Sequence, residues 1–162
     1  TADIADAEAV QRAFAGFGNV DVLINNAGIS RHHTMAATDP AGWQADMAAN
    51  LNGAFACAHA VLPQMIERRS GNIVNVGSVN GLSALGDPAY SAAKAGMISL
   101  TRTLAQEYGR YGIRTNIVLP GTVRSSPRAI HCSYGTLSRS LRSPLSLTSR
   151  SASSGSQYMC TP

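Results

Sequence analysis

Three short runs of branched and apolar residues, at 20–25, 72–76 and 113–119, alternate with stretches whose apolar residues repeat at helical spacing. In 6–17, Val10, Phe14 and Phe17 stand at i, i+4 and i+7, and Gly18-Asn19 closes the pattern. A longer stretch, about 40–69, places Leu51, Phe55, Ala58, Leu62 and Ile66 on one face before Ser70-Gly71. The third carries Tyr90 with the stripe Met97, Leu100, Leu104 and Tyr108, and ends in the glycines at 109 and 112. Period-3.6 segments of this length between short apolar runs predict helices between strands. A strand, a covering helix and a further strand make a right-handed crossover, so the repeat predicts an α/β protein with a parallel sheet.

In such a sheet ligands bind beyond the carboxyl ends of the strands. Those ends read Asn25-Asn26-Ala27-Gly28, Gly77-Ser78 and Pro120-Gly121-Thr122, and small residues there let backbone approach a ligand closely. The helix carrying Tyr90 opens onto the same crevice. Lys94, four residues after Tyr90, is the only lysine among 162 residues. That spacing puts both side chains on one helix face, one turn apart. A phenol has an ordinary pKa near ~10, and a cation within about 4–6 Å favours its ionised form. The pair therefore reads as a general acid/base with a partner that activates it. Taken alone, Tyr-x-x-x-Lys is more often an ordinary exposed helix pair.

Charge divides the chain. Residues 1–124 hold all nine acidic residues and nine of the thirteen basic ones, so the formal net charge of +4 comes from 125–162, which has four arginines, twelve serines and no acid. That segment shows no helical or strand period and is expected to be irregular, either disordered for lack of apolar surface or read out of frame. Its arginines are dispersed without aromatic platforms, which argues against nucleic acid as a partner. No apolar run approaches the ~18 residues of a membrane span. Cys57, Cys132 and Cys160 are spaced for neither a disulfide framework nor a zinc site, so a reducing, cytoplasmic setting is expected. His32 and His33 are adjacent, poor geometry for chelating one ion, and read as loop residues near a substrate mouth; no metal is expected. Each other polar residue has a plain structural alternative: Asn25 and Asn26 as turn formers, Ser78 as a strand-end serine, Asn50 as a helix irregularity.

Together these residues resemble the short-chain dehydrogenase/reductase family. Asn25-Asn26-Ala27-Gly28 is similar to that family's turn after its fourth strand. Asn50, followed by Leu51 and Gly53, falls at its catalytic asparagine in a bend of the long helix. Ser78 falls at its catalytic serine, twelve residues before Tyr90, and Tyr90-x-x-x-Lys94 is its central motif. Asn116 to Gly121 resembles its segment beside the nicotinamide, and Asp3-Ile4 its pair near the adenine. The resemblance covers about 1–124 and implies a partial, Rossmann-like, doubly wound sheet with helices on both faces. It implies an oxidoreductase that interconverts a carbonyl and a secondary alcohol with NAD or NADP, acting on a 3-oxoacyl thioester or on a sugar or polyol. Asn50, Ser78, Tyr90 and Lys94 would be catalytic; Asp3, Ile4, Asn26, Ala27, Gly28, Tyr90, Lys94, Pro120, Gly121 and Val123 would bind cofactor. It further implies a homo-oligomer packed through the long helix and the Tyr90 helix, where Ala92, Ala93, Ala95 and Gly96 leave room for close contact.

The sequence also departs from the family. The glycine-rich turn that wraps the pyrophosphate, and the residue that selects NAD or NADP, have no counterpart here, and the substrate-lid helix and last strand expected after Arg124 are not recognisable. An alternative is therefore an inactive remnant or interaction module that keeps these residues without binding cofactor. If 125–162 is out of frame, translating the other frames of the coding DNA past codon 124 will restore a lid helix and a final strand; restoration in neither frame would contradict it.

Overall fold

The computed structural model describes residues 2–31, 34–83, 85, 87–121, 134–137 and 148–149. His32, His33, Thr122, Val123 and most of 125–162 lie outside the described residues. The first helix, α1 (Ala7–Ala15), starts at Asp6, whose side chain accepts the N–H groups of Glu8 and Ala9 and so satisfies two otherwise unpaired donors. Gly16 closes it, sooner than the period suggests, and Phe17 is exposed. Strand β1 (Val22–Asn25) follows, then α2 (Pro40–Met47), capped by Asp39 with Pro40 in the first turn. A π-helical turn, Ala48–Asn52, leads into α3 (Gly53–Arg68). Next come β2 (Gly71–Val76), a short 3-10 turn (Val79–Gly81), α4 (Pro88–Tyr108) and β3 (Ile113–Pro120).

Strands β1, β2 and β3 lie side by side in parallel register, Leu23 opposite Ile73 and Ile73 opposite Thr115. The parallel α/β reading is therefore borne out. Two short strands, β4 (Tyr134–Leu137) and β5 (Thr148–Ser149), extend the sheet antiparallel beyond β3. They fall where the sequence predicts no strand. Pairing at a sheet edge runs through backbone groups and needs no apolar period.

The described helices cover one face. Leu23, Ile73 and Ile113 pack with Val10 of α1, Val61, Leu62 and Met65 of α3 and Leu104 of α4, while Ile117 and Leu119 meet Ala54, Met97 and Ile98. The alternate residues of β1 point the other way, leaving Val22 52% and Ile24 61% exposed. The expected second layer of helices is thus not seen among the described residues, because strand alternation sends every fully buried side chain to the α1–α3–α4 side. The Tyr90-helix stripe is borne out, with Met97 and Leu104 buried. The long-helix stripe is corrected at Phe55, which is 55% exposed and lies against the His59 ring. Within α3 the buried face centres on Ala54, Ala58, Val61 and Met65, with Leu62 at one edge, and Phe55 falls just outside that arc.

A buried polar ladder ties the strand ends to α4. Asn25 Nδ2 donates to Asn75 Oδ1 (2.8 Å), Asn75 Nδ2 to Thr101 Oγ1 (2.8 Å), and the Thr101 hydroxyl to the Met97 carbonyl (2.7 Å). Between α4 and β3 the chain turns at Gly112, with φ of 75° and a would-be Cβ 2.4 Å from the Arg69 carbonyl oxygen. Gly112→Ala should lower unfolding stability by about 2 kcal/mol, whereas Gly18→Ala, which meets nothing within 4 Å, should stay within about 0.5 kcal/mol of the parent. Urea unfolding of both variants checks the contrast.

Candidate active site

The carboxyl ends of β1, β2 and β3 open onto a cleft of about 290 Å³ lined by Asn26, Gly28, Ile29, Ser30, Val76, Gly77, Ser78, Tyr90, Lys94, Pro120 and Gly121. Four chain segments supply these residues. The sheet aligns its strand ends at one edge, and α4 starts beside them because Asp87 caps it and Pro88 fixes its first turn.

Tyr90 and Lys94 sit one turn apart on α4, with Lys94 Nζ 5.4 Å from the centre of the Tyr90 ring. The ammonium is 3% exposed and donates to the Val76 carbonyl at 2.9 Å. Burial pushes the Lys94 pKa down from 10.5 to about 8. No carboxylate is paired with it in the ion pairs of the described residues, so its charge is available to a phenolate or to ligand hydroxyls. Ser78 stands in extended conformation at the end of β2, 8% exposed, and its Oγ accepts the Asn80 N–H at 3.2 Å. The 3-10 turn after it rests directly on α4, since a Cβ on Gly81 would lie 2.7 Å from the Lys94 carbonyl group. Ser78 and the Tyr90–Lys94 pair are thereby held against each other across two elements.

Asn50 does not line the cleft; it braces the cleft from behind. Fully buried in the π turn, it donates from Nδ2 to the Ile29 carbonyl (2.7 Å) and the Asp46 carbonyl (2.9 Å). Its Oδ1 accepts the Ile29 N–H at 3.1 Å. A π turn frees the side chain from a regular helical face and points it at the β1 loop. Asp46 is also fully buried; its Oδ1 meets Arg31 Nη1 at 3.2 Å, and its Oδ2 has no hydrogen-bond partner among the described residues. Gly28 passes between Asn50 and Lys94: a Cβ there would stand 2.7 Å from Asn50 Oδ1 and 3.3 Å from Lys94 Nζ. Asn50 is fixed by its bonds to Ile29, so Gly28→Ala should cost about 1–3 kcal/mol of stability. Thermal unfolding reads this, and an unchanged midpoint would contradict the packing described.

Of the other residues singled out in the sequence, Asn26, Gly28, Pro120 and Gly121 line the cleft, and Ala27 sits exposed between two of them. Asp3 and Ile4 do not. Asp3 Oδ1 accepts the Ala5 N–H, and Ile4 packs against the start of α3, 2.4 Å from where a Gly53 Cβ would stand. Val123 lies outside the described residues. Ile29, Ser30 and the Val76 carbonyl join the site without a sequence signal. Asp87 had one, an acid directly before a proline at a helix start.

A parallel α/β sheet with tyrosine, lysine and serine gathered at its carboxyl edge defines the class, and similarity to known proteins agrees. Residues 1–130 match the short chain dehydrogenase family, and the chain belongs to it. The match runs past Arg124, where composition changes. An acetoacetyl-CoA reductase of an Acinetobacter species is 46% identical over 114 residues, 70% of this chain and 46% of that protein. A short-chain dehydrogenase/reductase-family oxidoreductase from Burkholderia thailandensis superposes with a TM-score of 0.70 at 52% identity, covering 74% of this chain and 47% of that one. A gluconate 5-dehydrogenase from Burkholderia cenocepacia, solved with NADP and tartrate, gives a TM-score of 0.70 at 38% identity, covering 74% and 49%. The chain spans about half the length of the curated relatives it matches.

Proposed function

We propose that this chain carries the proton-handling half of an NAD(P)-dependent oxidoreductase that interconverts a carbonyl and a secondary alcohol. The observation that carries the reading is the convergence of Tyr90, Lys94 and Ser78 on one cleft walled by glycine and other small residues. The cleft fits the nicotinamide–ribose end of the cofactor: Gly28 and Gly121 line it without a side chain and let a flat ring approach backbone. Lys94 uses one of its three donors on Val76 and can offer the others to ribose hydroxyls. Asn26, Gly28, Lys94, Pro120 and Gly121 would hold that end, with Val123 beyond them; the adenine role of Asp3 and Ile4 belongs to the same proposal. When bound, the nicotinamide supplies or accepts the hydride.

The remaining work falls to the chain. Tyr90 gives its hydroxyl proton to the substrate oxygen in reduction and takes it back in oxidation. Lys94 stabilises the phenolate left behind, an effect strengthened because the ammonium is out of water. Ser78 donates its hydroxyl to the reacting oxygen where charge develops. Asn50 fixes the loop at Gly28–Ile29 beside Lys94, and the π turn would place a water through which Lys94 recovers its proton. Names and likeness of the relatives support a small carbonyl or alcohol substrate, either a 3-oxoacyl thioester or a sugar or polyol.

The exposed Phe55 on α3 supports assembly of copies through α3 and α4. The exposed Val22 and Ile24 favour a second reading, in which the chain keeps these residues but serves only as an interaction module. Fluorescence titration with NADH and NADPH separates the two: saturable binding of either is expected, and no saturation with both would sink the enzyme reading for this chain.

A further inference from the structure

We propose that Asp87 is the positioning residue for Tyr90, and that it works by clasping Ser30 of the loop after β1. The proposal rests on the reading of Tyr90 as the acid/base. Asp87 is 3% exposed and uses both side-chain oxygens: Oδ1 accepts the Tyr90 N–H at 3.0 Å, and Oδ2 accepts the Ser30 hydroxyl. Its carbonyl accepts the Ser91 N–H at 2.9 Å. Three consecutive bonds thus join one residue to the first turn of α4 and to a loop 57 residues away in sequence.

The backbone of Asp87 has φ of 33° and ψ of 87°, outside the regions an aspartate normally occupies. Such a conformation persists only where its surroundings over-determine it. Here the two side-chain bonds do so, against the extended backbone that Pro88 favours in the residue before it. An ordinary N-cap needs only the Tyr90 bond and an extended backbone, as Asp6 shows at α1. With the backbone turned this way at Asp87, the second oxygen reaches Ser30 of the loop after β1.

Ser30 follows Ile29, whose N–H and carbonyl are both held by Asn50. The dipeptide 29–30 is therefore bonded on one side to the π turn and on the other to α4. This closes a loop of contacts, Asn50 to Ile29, Ser30 to Asp87, Asp87 to Tyr90, around the cleft mouth. The distance between Tyr90 and the β1 loop is set by that chain of bonds, not by packing of α4 alone.

The test uses the full chain with isotope-labelled tyrosine ring carbons, the Tyr90 signal being the one lost in Tyr90→Phe. Ser30→Ala leaves the cap on Tyr90 untouched and removes only the clasp, so a shift of the Tyr90 signal is expected. Asp87→Gly, which tolerates the left-handed backbone and so keeps the chain folded, removes both bonds and should shift the signal further. Asp87→Asn restores it: its Oδ1 still caps Tyr90, asparagine tolerates the backbone, and its amide can donate to the Ser30 oxygen. In the Asp87→Gly background, Ser30→Ala should add nothing. A Tyr90 signal unmoved by Ser30→Ala, or moved equally in both backgrounds, would overturn the proposal. Neither cofactor nor substrate enters the measurement, so its failure leaves the oxidoreductase reading standing, and an inactive chain could still show the clasp.

Discussion

Lys94→Met is expected to unfold at a higher temperature than the parent in neutral buffer, and to lose the rise in stability that the parent shows between pH 8 and 10.5. Burial lowers the Lys94 pKa from 10.5 to about 8, so between those values the unfolded chain binds the proton and the folded one releases it. Stability must then climb with pH through that window, and the full penalty of the buried charge is present below it. A displacement of this size corresponds to about 3 kcal/mol. Methionine removes the penalty but leaves the Val76 carbonyl without its 2.9 Å donor, which returns about 1 kcal/mol. The net gain of about 2 kcal/mol should raise the melting temperature by about 4–8 °C for a chain of this size. Burial pushes the Cys57 thiol up, and comparing parent with variant at each pH isolates Lys94 from it. Equal midpoints with parallel pH slopes would show that the ammonium is not buried as described. A lysine that destabilises the fold, with no anion beside it among the described ion pairs, is what a site kept for a ligand would contain.

Tyr90→Phe should lower the turnover of carbonyl reduction by about 10²–10⁴-fold, the usual contribution of a positioned general acid. The phenyl ring preserves the 5.4 Å stacking distance to Lys94 Nζ and all the contacts of a half-buried residue, so melting temperature and cofactor affinity should stay close to the parent. Ser78→Ala should give a smaller loss, because Ser78 donates a hydrogen bond to the reacting oxygen without transferring the proton, even though loss of its bond to the Asn80 N–H relaxes the 3-10 turn. Steady-state rates with NADH and NADPH measure both. Full turnover in Tyr90→Phe would move the acid/base role to another group.

Much of this arrangement was legible in the sequence. Apolar runs located all three parallel strands within two residues, because a strand buried against helices must be nearly continuous in branched side chains. The placement of Tyr90, Lys94 and Ser78 at the cleft is legible from local features, a one-turn helical interval and a strand end, while their roles come from resemblance to the family. What escaped was non-local. The stripe Leu51, Phe55, Ala58, Leu62 and Ile66 is right at Ala58 and Leu62 and wrong at Phe55, because which edge of an apolar arc is covered depends on the neighbours packed against it in space. The Ser30–Asp87 bond joins two loops far apart in sequence, with no periodicity to announce it. The contact of Ile4 with the glycine at the start of α3 is likewise made in space only. Strands β4 and β5 pair through backbone, which leaves no compositional trace.

The most direct measurement is isotopic. The protein is incubated with NADH or NADPH deuterated at the transferable position and with acetoacetyl-CoA or a keto sugar acid, and the alcohol product is examined by mass spectrometry. The account predicts one deuterium on the new carbinol carbon with the parent chain, and its near-complete loss in Tyr90→Phe and Lys94→Met. Product alcohol without deuterium, or no product with any of these pairs from a chain that binds cofactor, would contradict the assignment of Tyr90, Lys94 and Ser78 to carbonyl reduction.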